Sequence, residues 1–437
     1  MTYEASSKTP LRMSAAAVAL LIGVNAAHAQ DLSGEITAVV YPDWDFFADA
    51  AAEFMAEHPG TTINIEPVTG GNDYFPSLPR TLATDNAPDI TVLQVGSAGV
   101  WEAVLESGVL LDISDVWEEA NLNEAYLPAL VSTYTTEDGR NLAVNAGINW
   151  VGLVYYNKDM FEELGIVAPN AGRVASDEEF LAITQALADA DKTPLAMPVS
   201  GFRSTNWITH QAMTSNCGTE WMQKIQMAWH EGATPEAFYT DDCAVEALDR
   251  VASGWNDAGV YGNSAQTVTR EIGQTLFFTE TAAMFVSGSW EVSAILAADL
   301  PFTVGWFVLP SMASEDTELQ LLPIDGIGVA ANSDNPELAK AFLAYVSTAE
   351  FQSRLSSYSR NSGRTDVEMD AAAVPDLAMT QFNALNSMLG ETQPNTFTHV
   401  ELRDRISSGW QEILIGQATA AEVAADLEKI SDDLRGR

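Results

Sequence analysis

The chain has 437 residues, 47% of them apolar, and carries 61 acidic against 20 basic side chains, a formal net charge of −41 at pH 7. A surface of that sign repels nucleic acid and anionic lipid, so neither is expected as a partner. The apolar fraction excludes a disordered chain, and the length is sufficient for two large lobes with their own cores.

Residues 1–29 have the features of a secretory signal peptide. Lys8 and Arg12 form its positive region, residues 13–26 its apolar run, and Ala27-His28-Ala29 an A-x-A cleavage site. The apolar run is too short to span a bilayer, which disfavours an uncleaved membrane anchor. The mature chain is therefore expected to be exported after cleavage of this segment.

Strands and helices alternate through the first part of the mature chain. Hydrophobic patterns predict strands over 35–41, 61–68 and 89–94, and helices over 46–55, 74–83 and 100–107. This alternation with short loops indicates a parallel, doubly wound α/β sheet. In such sheets ligands bind at the carboxyl ends of the strands. The candidate ligand-binding residues in the loops at that rim are Tyr41, Asp43, Trp44, Asn72, Asp73 and Gln94.

A buried strand followed at once by a short helix is predicted near the middle of the chain. Residues 151–156 are mostly β-branched or aromatic, which favours a strand. Asn157 then serves as the helix N-cap, and Gly165 ends the helix in a left-handed conformation. Just upstream, Asn149 and Trp150 belong to a polar and aromatic cluster of the kind that a pocket for a polyhydroxylated ligand needs.

A further strand, predicted over 195–199, leads into a loop at 200–207. This loop is rich in hydrogen-bonding groups and follows the end of a strand, where a ligand site is expected. Its candidate ligand-binding residues are Phe202, Arg203 and Trp207.

The sequence contains two cysteines, Cys217 and Cys243. In an oxidising compartment two cysteines most often pair, so a disulfide is expected. A catalytic thiol is disfavoured because no base and orienting group lie near either residue in the sequence.

Three segments resemble one known family. Y-N-K-D-M-F-E-E-L-G-I at 156–166 is similar to the Y-N-K-D-[LM]-[FL]-x-x-x-G segment of the extracellular solute-binding proteins of ATP-binding-cassette (ABC) importers. Residues 277–290 resemble that family's F-x-x-G-x-A-A-M-x-x-x-G-x-W motif, with Glu280 where glycine is usual. Residues 322–343 resemble its G-x-G-[IL]-A-I-x-x-x-S-x-[NK]-P-E-x-A-x-x-F-L segment. The most similar group is family 1, the sugar-binding group that includes maltose-binding protein.

This resemblance implies a periplasmic binding protein fold of the α/β class. Two lobes, each a doubly wound sheet flanked by helices, would be joined by hinge crossings near 144–150, 324–330 and 365–375. The first lobe would comprise residues 31–145 with a return at 327–370. The second lobe would comprise residues 150–323 and the C-terminal helices at 371–437.

The resemblance also implies a ligand site between the lobes. In the family a tryptophan at the position of Trp290 stacks on sugar, and Gly288 lets the backbone turn close to the ligand. Asp325 and Gly326 would lie where the returning strand enters the cleft. Arg360 falls in a segment that resembles the family's [LY]-P-x-R loop, although the proline is absent here.

The expected function is capture of a carbohydrate by hinge closure and its delivery to membrane permease subunits, by a periplasmic monomer without cofactor or metal. A cationic polyamine or amine is an alternative ligand, since aromatic and acidic side chains also bind cations. A glycerophosphodiester fits less well because few arginines are available. An exported carbohydrate-active enzyme is the alternative from another class, but no catalytic motif such as G-x-S-x-G or H-E-x-x-H is present.

Overall fold

Two β-sheets organise the molecule. The computed structural model describes residues 32–69, 74–95, 100–136, 138–169, 174–200, 204–262, 265–311, 320–322, 325–367, 374–387, 393–394 and 399–436. The strands in chain order are β1 (Gly34–Val40), β2 (Thr61–Pro67), β3 (Ile90–Gln94), β4 (Val144–Asn145), β5 (Asn149–Asn157), β6 (Val174–Ser176), β7 (Thr193–Ala196), β8 (Ala282–Gly288), β9 (Val304–Ser311), β10 (Gln320–Leu322), β11 (Asp325–Val329) and β12 (Gln393–Pro394).

Helices cover both sheets. In chain order they are α1 (Asp45–Glu57), α2 (Tyr74–Leu82), α3 (Val100–Ser107), α4 (Ser114–Glu119), α5 (Leu122–Ala125), α6 (Pro128–Tyr134), α7 (Lys158–Leu164), α8 (Asp177–Asp189), α9 (Ser204–Cys217), α10 (Thr219–Met227), α11 (Asp242–Asp249), α12 (Trp255–Asp257), α13 (Arg270–Phe278), α14 (Glu291–Ala297), α15 (Pro336–Ser347), α16 (Ala349–Ser353), α17 (Asp376–Ser387), α18 (Val400–Leu414) and α19 (Ala420–Arg435). Within the described ranges, no helix combines the length and the apolar character that crossing a membrane requires.

The first sheet has the strand order β2-β1-β3-β11-β4. β1 is parallel to β2 and to β3, as the alternation of strands and helices predicts. β11 is antiparallel to β3 and β4 because the chain re-enters this sheet from the second one. Helix α1 buries Phe46, Ala50 and Phe54, the row that the sequence places on one face. We call this sheet and the helices packed on it the first lobe.

The second sheet is built around β5, whose nine residues are all buried. β5 is antiparallel to β8 on one side and to β9 and β10 on the other. β7 is parallel to β8, and β6 is parallel to β9. This sheet is therefore mixed and not purely parallel, because β5 enters it from the first sheet. With helices α9, α11, α18 and α19 packed together beside it, it forms the second lobe, and the predicted two-lobe α/β class is confirmed.

The chain passes between the sheets at three places. β4 ends at Asn145 in the first sheet, and β5 begins at Asn149 in the second. β10 ends at Leu322 in the second sheet, and β11 begins at Asp325 in the first. Later, the 3-10 segment Leu355–Tyr358 packs on α1, whereas α17 packs on β9. The first of these passages is only three residues long, 146–148, and short connections of this kind can act as hinges between lobes.

The local signals around β5 are confirmed. The side chain of Asn157 accepts a hydrogen bond from the Met160 backbone N–H at 2.9 Å and caps α7. Gly165 ends α7 with φ +67°, the left-handed conformation that glycine adopts without steric cost. Glu280 also has a positive φ, +58°, which explains why related chains carry glycine at that position.

Two expectations about the region before α9 are wrong. The strand expected over 195–199 begins earlier and ends at Ala196. The loop expected to reach 207 gives way to α9 at Ser204, so Trp207 lies in the first turn of a helix. Asn335 precedes α15, but its side chain makes no capping bond and instead donates to the Glu35 carbonyl oxygen at 2.9 Å. There it fastens the start of α15 to β1, a tertiary contact that helix-cap patterns do not predict.

The expected disulfide is present between Cys217 and Cys243 and joins the end of α9 to the start of α11. Replacing both cysteines by serine should reduce the free energy of unfolding of the second lobe by about 3.5 kcal/mol, because the bond closes a loop of 26 residues in the unfolded chain. Urea unfolding measures this difference. The wild-type protein under reducing conditions is the control and should show the same loss; an unchanged midpoint would contradict the prediction.

Salt is expected to stabilise this protein. The 61 acidic side chains outnumber the 20 basic ones threefold, so self-repulsion exceeds the attraction available from ion pairs. Raising sodium chloride from about 0.05 M to about 1 M shortens the Debye length and should raise the urea midpoint. Chloride is preferred to sulfate, which stabilises folded proteins by exclusion from their surface. A midpoint that falls with salt would mean that ion pairs dominate.

Candidate ligand-binding site

A narrow cavity of about 10 Å³, room for about one water molecule, lies between the two lobes. One wall is formed by the start of α14 and by α17, and the other by the segment around Leu355–Tyr358 and the residues after it. The lining residues are Ser289, Val292, Ser356, Ser359, Arg360, Asn361, Val374, Ala378 and Gln381. Small-molecule pockets usually measure about 300–1,000 Å³. The lobes must therefore separate somewhat for a complete ligand to enter.

An aromatic pair, Trp290 and Trp207 of α9, lies next to the end of β8, where Ser289 lines the cavity. β8 is fully buried, and Trp290 follows it as the residue that precedes α14. The half-buried Trp290 ring meets Trp207 edge to face, with centroids 5.3 Å apart. Both rings pack on Val151 of β5. An indole held in this way presents an apolar face next to hydroxyl-bearing residues such as Ser289.

Gly288 permits the close approach of Trp290 to the sheet. A Cβ placed on Gly288 would fall within the Trp290 ring and 2.6 Å from the carbonyl oxygen of Trp150. That carbonyl accepts a hydrogen bond from the Ser289 N–H at 2.9 Å, and the Trp150 N–H donates to Ser289 Oγ at 3.1 Å. The Gly288 carbonyl accepts from the hydroxyl of Tyr155, whose pKa is raised by burial. The backbone at this turn is thus fixed on both sides.

Glu291 lies directly behind Trp290 and was not predicted as a site residue. Its carboxylate is completely buried. Oε1 accepts from Arg270 Nε at 2.6 Å, Ser287 Oγ at 2.8 Å and Trp290 Nε1 at 3.1 Å, while Oε2 accepts from Gln274 Nε2 at 2.8 Å. Its sequence position, in the first turn of a helix, is equally typical of an exposed acid near the helix N-terminus. The sequence therefore carries no signal for this burial.

On the first lobe, Arg360 joins the cavity to the loop after β1. Its Nη2 donates to Asp43 Oδ2 at 2.9 Å and to the Asp43 carbonyl oxygen at 3.2 Å. The guanidinium lies over the rings of Trp44 and Phe46, 5.7 and 5.4 Å from their centroids. Tyr41 packs edge to face on Trp44 with centroids 5.4 Å apart. Arg360 is largely buried, and its charge is balanced by Asp43.

The first two crossings between the sheets bring another group of predicted residues together. Asn149 Nδ2 donates to Asp325 Oδ2 at 2.7 Å. Asp325 faces Gln94 across β11 and β3, and Gly326 faces Asn145 across β11 and β4. Asn145 itself donates to the hydroxyl of Tyr134 at 2.9 Å. These contacts link the first two crossings directly.

The predicted residues therefore fall into three groups. Trp207, Gly288 and Trp290 form one, Tyr41, Asp43, Trp44 and Arg360 a second, and Gln94, Asn149, Asp325 and Gly326 a third. The side chain of Trp150 belongs to none of these groups, although its backbone bonds to Ser289. Its side chain is fully buried in the core, and its indole N–H has no acceptor among the described residues. Asn72, Asp73, Phe202 and Arg203, like the predicted signal peptide, lie outside the described residues.

The described residues do not include a set of side chains suited to a metal ion. Across the described ranges, no three histidine, cysteine, aspartate or glutamate side chains are grouped so that they could hold a metal ion. The polar groups that line the cavity are hydroxyls, amides and one paired guanidinium. Such groups bind and orient a small molecule by hydrogen bonding.

Comparison with known proteins agrees with this architecture. The osmoprotective compounds-binding protein GgtB of Synechocystis sp. is 24% identical over 357 residues, which cover 76% of this chain and 80% of that protein. A solved chitin oligosaccharide binding protein superposes with a TM-score of 0.77 at 21% identity, covering 93% of this chain and all of the other. The maltose-bound T. maritima MalE3 gives a TM-score of 0.74 at 18% identity, covering 92% of this chain and 99% of that one.

The sequence model of the bacterial extracellular solute-binding proteins matches residues 49–379, which is about three quarters of the chain. The matched range contains every strand of both sheets except β1 and β12, all three passages between the lobes, and the Trp290 site. The three segments that resemble solute-binding proteins lie within it as well. The chain belongs to the family of bacterial extracellular solute-binding proteins.

Proposed function

We propose that this protein captures an uncharged carbohydrate between its lobes and presents it to the permease of an ABC importer. The proposal rests on the residues that line the cavity. Among its lining residues Arg360 alone is charged, and that charge is already neutralised by Asp43. The polar remainder consists of three serines, an asparagine and a glutamine. Hydroxyl and amide groups beside an aromatic face match the alternating hydroxyl and C–H surfaces of a sugar ring.

The proposed contacts come from both lobes. Trp290, with Trp207 behind it, supplies the stacking face, and Arg360 with Asp43 supplies charge-assisted hydrogen bonds to hydroxyls. Asp325 and Asn149 lie where the lobes join, so a ligand that reaches them bridges the hinge. Because such a ligand touches both lobes only when they are close together, it favours the closed form by its differential affinity. The closed form is then the state that the permease recognises.

The names of similar proteins support a sugar as the ligand class. Solved structures with the same fold include proteins described as binding chitin oligosaccharide, maltose and β-D-galactopyranose. A multiple sugar-binding protein of Streptococcus mutans is 23% identical over 229 residues. Proteins of this kind bind their solutes without transforming them, and we assign no catalytic step to this chain. We further propose that residues 1–29 are removed on export, leaving a periplasmic monomer that begins at Gln30.

A panel of ligands in a thermal-shift assay tests the proposal. Maltose, galactose and a chitin oligosaccharide represent sugars, spermidine a polyamine, and glycerophosphocholine a phosphodiester. A true ligand at a hundredfold excess over its Kd stabilises the folded state by about 2.7 kcal/mol, so it should raise the melting temperature clearly. Stabilisation by spermidine or the phosphodiester, with none by any sugar, would overturn the proposal. Sugar products found after incubation would identify an enzyme instead.

A further inference from the structure

The buried carboxylate of Glu291 has no evident purpose in the stability of the fold. It is fully excluded from water, and its four hydrogen-bond partners all act as donors, which matches the acceptor-only capacity of a carboxylate. Burying an ion costs several kcal/mol, and the attraction of one partner seldom does more than offset that cost. The ion partner, Arg270, is itself about one third exposed. A buried ion pair of this kind is therefore weak evidence for a role in stability alone.

Glu291 connects the groups that surround the Trp290 ring. Arg270 and Gln274 come from α13, Ser287 comes from the end of β8, and the remaining donor is the indole N–H of Trp290. The Trp290 ring is only half-buried and packs in a small cluster of its own with Val151 and Trp207. The ring thus lies outside both large cores, and its packing contacts are those with this small cluster and with Gly288. The bond to Glu291 Oε1 fixes the direction of its N–H edge and therefore the plane of the ring.

We propose that Glu291 is a positioning residue that holds the Trp290 indole in the orientation that stacks on the ligand. Arg270 and Gln274 in turn hold the carboxylate, so the ring is connected through Glu291 to helix α13. This inference rests on the proposed function, because it assumes that Trp290 meets the ligand. Orientation before binding matters because a ring ordered in advance loses less conformational entropy when the ligand arrives.

The chain offers a matched comparison in Asp177. This buried carboxylate also accepts an indole N–H, from Trp255 at 3.2 Å, and also pairs with an arginine, Arg250. Trp255 is a core residue with no cavity-lining neighbour in the chain, whereas Trp290 lies between the lining residues Ser289 and Val292. If the role of Glu291 were purely structural, Glu291→Gln and Asp177→Asn would therefore have the same effect on ligand affinity.

Binding affinity separates the two roles. The probe is whichever of maltose, galactose or the chitin oligosaccharide shifts the wild-type melting temperature most, titrated by calorimetry. We expect Glu291→Gln to weaken binding at least tenfold and Asp177→Asn to change it less than twofold, although both lower the melting temperature. Equal losses of affinity in the two variants, or none in Glu291→Gln, would overturn the proposal. In a Trp290→Phe background, which lacks the indole N–H, Glu291→Gln should cause little further loss; fully additive losses would overturn it too.

A measurement without ligand distinguishes this proposal from the proposed function. The indole N–H resonance of Trp290 in a ¹⁵N-labelled protein is identified as the one absent from Trp290→Phe. Glu291→Gln should shift it and speed its exchange with water, and an unmoved resonance would contradict the proposal even if sugars bind. Failure of every sugar to bind the wild type would instead remove the proposed function. Should Glu291→Gln not fold, Trp290→Phe takes its place, and wild-type affinity in that variant would refute the role of the hydrogen bond.

Discussion

Replacing Trp290 by alanine should weaken ligand binding about a hundredfold, or about 2.7 kcal/mol, while the protein keeps its fold. A loss of this size is typical of an aromatic residue at the centre of a binding surface. The indole is half-buried and packs in a small cluster with Val151 and Trp207, outside the large cores of the two lobes. Its removal should therefore cost less stability than the about 3–5 kcal/mol typical of a fully buried tryptophan. Calorimetric titration with the sugar that shifts the melting temperature most measures the affinity.

Trp221→Ala is the control for this experiment. Trp221 is also half-buried and also donates its indole N–H to a carboxylate, Asp241 Oδ2 at 2.7 Å, but it lies on α10, which contributes no residue to the cavity lining. We expect a similar loss of stability with unchanged affinity. If Trp290→Ala retained wild-type affinity, the ligand would have to bind elsewhere. If both variants lost affinity equally, general destabilisation would explain the result.

Elements with strong local signals could be predicted from the sequence. The strand β5, the cap at Asn157 and the left-handed Gly165 all depend on residues within a few positions of one another, so the sequence determines them locally. The start of α9 is different. Ser204, Thr205 and Asn206 are buried together with Trp207, so the helix is enclosed on all sides and has no apolar stripe with a period of 3.6. A run of polar residues of that kind is typical of a loop, and the sequence predicts one.

The positions of site residues along the chain were easier to predict than the directions of their side chains. Trp150 and Trp290 both stand beside strand ends, yet the Trp150 ring is sealed in the core and the Trp290 ring is half-buried next to the cavity-lining Ser289. This difference arises because the second lobe packs against the first, a contact between residues far apart in sequence. Glu291 shows the opposite outcome. An acidic residue in the first turn of a helix is usually exposed to water, and Glu291 can be buried only because Arg270 and Gln274 of α13 donate hydrogen bonds to it. Such pairings are tertiary and leave no periodic trace in the sequence.

Gly288→Ala is the second substitution expected to have a large effect, and it acts by displacing Trp290 without removing it. The added methyl group would overlap the indole ring and approach the Trp150 carbonyl oxygen to 2.6 Å. That carbonyl cannot retreat, because it accepts the Ser289 N–H, so the ring must move instead. We expect at least a tenfold loss of affinity together with about 1–3 kcal/mol of stability, the usual cost of overpacking.

Gly254→Ala provides the control for Gly288→Ala. Gly254 is exposed, has φ −61°, and a Cβ there would meet only the Asp249 carbonyl oxygen, at 3.8 Å. Alanine at this helical position should leave affinity unchanged and stabilise the protein by up to about 1 kcal/mol, since it reduces the entropy of the unfolded chain. Titration and urea unfolding of both variants give the comparison. Undiminished affinity in Gly288→Ala would show that the indole tolerates displacement, and the close contact between Gly288 and Trp290 would then have no part in recognising the ligand.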